Sequence, residues 1–200
     1  MLSIFKAQYS YSNVTIDGIV YSIDDASETA TVKKQHWVMP SGGYYYVNYS
    51  TEKVYDRYSG DIHIPATVEI DDKTYKVEIG ESAFYNSINI TSVSIDEGIT
   101  AIPEKAFAGC LNMKSIFLPT SLESIASGAF SRCTSLETLH IPENVSSIGG
   151  SILAGSSNVS AITVAATNQY YDSRDNCNAI MSKGNTLLAG CKNTIIPNNT

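Results

Sequence analysis

The chain has 200 residues, 43% apolar and 16% charged, and its 13 Lys and Arg against 20 Asp and Glu leave a formal charge of −7. That apolar share is too high and the charge too low for a disordered polymer, and no run of about 18 apolar residues exists to cross a bilayer as a helix. With no basic cluster longer than Lys33-Lys34, the chain lacks the cationic stripe that a phosphate backbone requires, so nucleic acid is not an expected partner.

Met1–Gln8 is too short for a signal peptide; the remnant of one and a plain first strand both fit it. Ten of the 13 tyrosines lie at or before Tyr75, which sets residues 1–78 apart in composition although no linker follows them. Val14–Ile23 and Asp61–Ile70 alternate apolar and polar residues as half-buried strands do, and Asp71-Asp72-Lys73 has the composition of a hairpin turn. Residues 1–78 are therefore expected to form a β-rich N-terminal cap that covers an otherwise exposed edge strand. Within it, Trp37, Tyr44, Tyr45, Tyr46 and Tyr49, with His36 nearby and Gly42-Gly43 alongside, form an aromatic patch. Such a patch fits stacking on sugar rings as well as it fits the core of the cap.

From Ile79 the chain repeats. Ile79-Gly-Glu-Ser-Ala-Phe84, Ile102-Pro-Glu-Lys-Ala-Phe107, Ile125-Ala-Ser-Gly-Ala-Phe130 and Ile148-Gly-Gly-Ser-Ile-Leu153 begin 23 residues apart, near 79, 102, 125 and 148. Four further columns follow at the same offset, headed by Ile90, Val93, Ile95 and Ile99. Of the 28 positions in the seven columns, 27 are apolar and the exception is Asn168. In Leu136-x-x-Leu139-x-Ile141 the spacing becomes that of a short strand, and the Ala-Phe segment edged by Gly and Ser reads as a tight or 3-10 turn. A unit this small cannot bury its own apolar face, so units must stack, their strands about 4.8 Å apart in a parallel ladder. Residues 79–200 are expected to form a leucine-rich-repeat solenoid.

The pattern Ile-x-x-x-Ala-Phe-x-x-Cys-x-x-Leu-x-x-Leu-x-Ile-Pro-x-x-Val, met nearly letter for letter by Ile125–Ser147, resembles the BspA-like leucine-rich repeat family of bacterial surface proteins. Val14–Tyr21, Tyr58–Val68 and Lys73–Val77 resemble the cap that precedes the first repeat in many members, and Tyr171–Ile180 with Gly190–Pro197 resembles a hairpin insertion known in the family. The resemblance implies a place outside the cell or on its surface, adhesion to host or matrix macromolecules, and no enzymatic activity. The insertion is also readable from spacing. Pro119 and Pro142 are one repeat apart, whereas the next Ile-Pro waits until Ile196-Pro197, so about residues 166–194 are added, with Ser182–Asn185 as the turn of a hairpin. Because Ile-Pro opens a further turn in this pattern, a longer array is the expectation, with the hairpin as terminal cap the alternative.

Cys110 and Cys133 share a column and read as packed thiols. Cys177 and Cys191 lie symmetrically about Gly184, where either a cross-strand disulfide or two buried thiols fits. No metal site or cofactor is expected, since the three histidines are scattered and no catalytic or nucleotide-binding motif occurs. Recognition would then fall to the outward positions of the strands: Ser92, Ser115 and Thr138 in one row, Ser94, Phe117, His140 and Thr163 in the next, with Asp96, Pro119 and Pro142 beyond. The readings this leaves are an extracellular or surface protein-binding module, a passive spacer of a larger surface protein, and a carbohydrate-binding module working through the tyrosine-rich patch.

Overall fold

A computed structural model describes residues 13–34 and 58–196. The first strands are β1 (Asn13–Ile16), β2 (Ile19–Asp24), β3 (Thr29–Val32), β4 (Ser59–Ile64), β5 (Thr67–Ile70) and β6 (Lys73–Ile79). Five of them form a sheet in the order β1-β2-β3-β6-β5. The segment Val14–Ile23 is two strands rather than one, because Asp17-Gly18 turns the chain with φ of 48° and 80°, the backbone that a two-residue hairpin loop of this composition favours. Asp71-Asp72 does the same between β5 and β6, with φ of 50° and 62°. Asp61–Ile70 is likewise broken: Pro65, which has no N–H to give to a ladder, separates β4 from β5, and the two join different sheets.

Next come β7 (Asn89–Ile95), β8 (Ala101–Ile102), β9 (Ser115–Phe117), β10 (Ser124–Ile125), β11 (Thr138–Ile141), β12 (Ser147–Ile148) and β13 (Ala161–Val164). They curl into parallel ladders. On one side β4, β7 and β9 pair in that order and β11 pairs with β13, while on a second side β8, β10 and β12 pair with Ser124 opposite both Ala101 and Ser147. The backbone N–H of Glu137 donates to Lys114 O, tying β11 to β9. The chain closes with β14 (Tyr171–Asp172), β15 (Ala179–Ser182) and β16 (Leu187–Gly190), an antiparallel sheet in that order.

No α-helix occurs among the described residues, and their one 3-10 turn, Arg174–Asn176, lies away from the Ala-Phe segments. The Ala-Phe segments are chains of hydrogen-bonded turns instead. Ser82, Lys105, Gly128 and Ser151 all have positive φ, as do Asn86, Gly109, Arg132 and Gly155 four residues later, and two left-handed residues in so short a span break any helical run.

The core is a column of stacked side chains. Phe84 and Phe107 stack at 5.0 Å between centroids and 5° between planes, Phe107 and Phe130 at 6.0 Å and 17°, and Tyr58 tilts against Phe84 at 4.6 Å. Beside it Cys110, Cys133 and Ser156 point their Sγ or Oγ donors at the carbonyls of Phe84, Phe107 and Phe130, each 26 residues back. Burial pushes the Cys133 thiol up to about 12, so it stays protonated and inert.

Candidate functional site

The parallel ladder fixes which side chains share a face. Alternation along each strand buries Val93, Ile116, Leu139 and Ile162. The register then aligns the outward residues: Ser92 lies opposite Ser115, Ser94 opposite Phe117, Thr138 opposite Ala161 and His140 opposite Thr163. Ser92, Ser94, Ser115, Phe117, Thr138, His140 and Thr163 thus lie on one surface, in the two rows that the sequence assigned them. Phe117 is 67% exposed, the one large apolar side chain among small polar neighbours. The His140 ring meets Thr163 Oγ1 through Nδ1 at 2.8 Å, which holds the imidazole along the row. Pro119 and Pro142, expected to face outward, are buried instead, because each strand ends before its proline and the chain turns inward there.

The face continues onto β4, which sequence spacing did not include. Asp61 lies opposite Ser92 and His63 opposite Ser94, so one row reads His63, Ser94, Phe117, with His140 and Thr163 beyond. The signal that could have found it is the match of Asp61-Ile-His-Ile64 to Ser92-Val-Ser-Ile95. The hydroxyls of Thr91 and Ser92 donate to Asp61 Oδ1 at 2.7 and 2.6 Å and, Ser92 foremost, hold that carboxyl below the usual range. His63 Nε2 meets Asp96 Oδ1 at 2.8 Å.

Trp37, Tyr44, Tyr45, Tyr46 and Tyr49 of the aromatic patch, and His36, lie outside the described residues. None of the four cysteines is in a disulfide. Symmetry about Gly184 is broken by a bulge at Ile180/Met181, beyond which Ala179 pairs with Gly190. One step further, Cys191 comes opposite Asn178, to whose carbonyl its Sγ donates at 3.3 Å, while Cys177 is buried beside Ala179 and Met181. Adjacent strand positions face opposite ways, so the two thiols do not converge.

Two solvent-open depressions flank the sheet. One, of about 440 Å³, is lined by Lys114, Ser135, Glu137, Asn158, Ser160 and Lys192. The other, of about 510 Å³, lies over the turns beside Lys34, Lys105 and Arg132. No group of three or more His, Cys, Asp or Glu is placed to hold a metal among the described residues, and no helix among them is long and apolar enough to cross a membrane.

Comparison with known proteins adds the following. The sequence pattern of the BspA type leucine-rich repeat region matches residues 61–180 in six copies. A leucine-rich repeat protein from Bacteroides capillosus superposes with a TM-score of 0.55 at 23% identity, over 78% of this chain and 99% of that one. A leucine-rich cell surface protein from Faecalibacterium prausnitzii gives 0.45 at 19% identity, over 90% of this chain and 61% of that one. A leucine-rich repeat protein from T. pallidum gives 0.49 at 18%, over 76% and 71%. No curated protein matches the chain.

Proposed function

The chain belongs to the BspA type leucine-rich repeat family, and from that premise we propose that it is a non-enzymatic protein-binding module, secreted or displayed on a bacterial cell surface, whose parallel-sheet face adheres to a host or extracellular-matrix protein. Ser92, Ser94, Ser115, Phe117, Thr138, His140 and Thr163 form the contact face in this reading. The observation that carries it is the 67% exposure of Phe117 in the middle of a small-residue sheet face. An aromatic ring left in water amid serines and threonines stabilises nothing in the free protein, whereas buried against a partner it serves as an anchor.

We read residues 1–78 as the cap and 79–200 as a solenoid of 23-residue units carrying an insertion at about 166–194. The pairing of Ser124 with Ala101 and Ser147 supports that period. The boundary interdigitates: β4 sits with the solenoid through β7, whereas β5 and β6 sit with the cap.

The test is surface binding of the purified chain to immobilised fibronectin, fibrinogen and collagen, beside a Phe117→Ala/His140→Ala variant. Saturable binding that the variant loses is the expected result. Equal binding by both proteins removes the site, and binding by neither leaves a spacer role as the better account.

A further inference from the structure

The proposed contact face has a charge pattern that names the chemistry of its partner. In the outward rows of β4, β7, β9, β11 and β13 the charged side chains are Asp61 on β4 and Asp96, which follows β7; no Lys or Arg stands among them. Lys114 and Glu137, one position before the first outward residues of β9 and β11, share the flanking depression with Lys192, which leaves one positive charge beside the rows.

Each of the two carboxylates is held in place by its neighbours. Asp61 takes the Thr91 and Ser92 hydroxyls on a single oxygen, Oδ1, which leaves Oδ2 for an incoming donor. Asp96 is steered onto the face by His63, which is exposed like its partner. The hydroxyl donors orient Asp61 without neutralising it as a lysine or arginine would. With strands about 4.8 Å apart and a rise of about 3.3 Å per residue, His63 on β4 lies about 10 Å and Asp61 about 12 Å from Phe117 on β9, two strands away. That is the reach of a few residues of extended chain.

Resting on the reading of this face as a protein-contact surface, we infer that it selects a polypeptide segment that presents a lysine or arginine to Asp61 and Asp96 together with an apolar side chain to Phe117. The carboxylates contribute orientation and encounter rate and the ring contributes hold, the usual division between the rim and the centre of an interface. An exposed face spread over several paired strands suits an extended segment of a larger partner rather than a free small cation.

The experiment measures binding of the whole chain to an immobilised 12-residue peptide of alternating lysine and leucine, to its glutamate–leucine counterpart, and to the three matrix proteins, each at low and high salt. The variants are Asp61→Asn/Asp96→Asn, isosteric and still able to accept the same hydrogen bonds, and Phe117→Ala. Two exposed ion pairs predict a loss of about fivefold in affinity for the lysine peptide with the double Asn variant, together with loss of most of the salt dependence. Phe117→Ala weakens binding while keeping the salt dependence, and the glutamate peptide is not held. Lysine-peptide binding that is absent, or unchanged in the Asn variant, overturns the inference. If matrix binding is lost with Phe117→Ala/His140→Ala yet untouched by the Asn variant, the contact face stands and the cation preference falls. If only the lysine peptide binds, the preference stands and the matrix partner falls.

Discussion

The side-chain amide of Asn168 donates to the carbonyls of Val145 at 3.0 Å and Pro142 at 2.8 Å, while its Oδ1 accepts the backbone N–H groups of Tyr170 and Tyr171. Asn168 occupies the column in which earlier units bury Ile99, Leu122 and Val145, and is itself buried. Three residues on, the Tyr171 hydroxyl accepts the N–H of Ile148 and donates to Ser146 O. The Tyr171 hydroxyl therefore stands in for hydrogen bonds that another short strand would make beside β12, and Asn168 pins the turn that delivers it.

Asn168→Leu, the change that makes the column uniformly apolar, is expected to destabilise. It strands two carbonyls and two N–H groups in a buried place, which costs about 3 kcal/mol. Urea unfolding with the midpoint lowered at unchanged slope is the expected outcome; a variant as stable as the parent would show that water reaches these groups.

Phe107 stacks on both Phe84 and Phe130 and is fully buried, so Phe107→Ala empties the middle of the column. A loss of about 3–5 kcal/mol is expected, with Phe107→Leu costing much less because it refills most of the space. Paired thermal melts of the two variants check this.

Gly149 and Gly150 are adjacent yet should respond oppositely. A Cβ on Gly149 would come within 2.4 Å of Ser127 N and 2.8 Å of Ala126 C, both backbone atoms of the preceding unit, whereas one on Gly150 meets nothing within 4 Å. Gly149→Ala is expected to cost about 1–3 kcal/mol through forced separation of the units, and Gly150→Ala to stay within about 0.5 kcal/mol of the parent.

Alkali should unfold the chain through its tyrosines. Burial pushes the hydroxyls of Tyr21 and Tyr58 up to about 12, and acceptance by Asp25 of the Tyr75 hydroxyl does the same there. A phenol whose folded pKa is raised contributes its full stability below the ordinary value of 10 and loses it as pH climbs towards 12, because the unfolded chain ionises first. Near-ultraviolet titration should show these three ionising after the exposed tyrosines, coincident with loss of β-sheet circular dichroism. Tyr58→Phe, which removes the bonds to Val20 N and Lys33 O, should soften the late phase.

The ladder of strands was legible because its apolar residues recur at one offset and because a sheet face admits only alternate residues. The two outward rows followed from the same rule. The extension through Asp61 and His63 was not legible. Ser92 and Asp61, which touch, are 31 residues apart, since the β5–β6 hairpin intervenes, and a search at a spacing of 23 passes over them. The shape of the turns was hidden for a different reason. Ser82, Lys105, Arg132 and Ser151 take positive φ although none is glycine, so the left-handed backbone is imposed by the neighbouring unit rather than announced by composition. The inward turn at Pro119 and Pro142 was lost by continuing strand alternation one residue too far.

The stacked register also bears on how such a chain can change over generations. Backbone donors pass from each unit to the same position of the one before it, as Ala126 N does to Ile102 O and Gly149 N to Ile125 O. A duplicated or deleted stretch of one whole unit, such as 103–125, brings together surfaces that already fit, and Asn168 and Tyr171 still find the carbonyls and N–H groups they serve. An insertion of any other length within a stacked segment throws the downstream phenylalanines off the column, unless it loops out as the β5–β6 hairpin does. Recombination in the gene is thus filtered by length before it is filtered by sequence, and the area of the outward face can grow or shrink in steps while its chemistry drifts residue by residue.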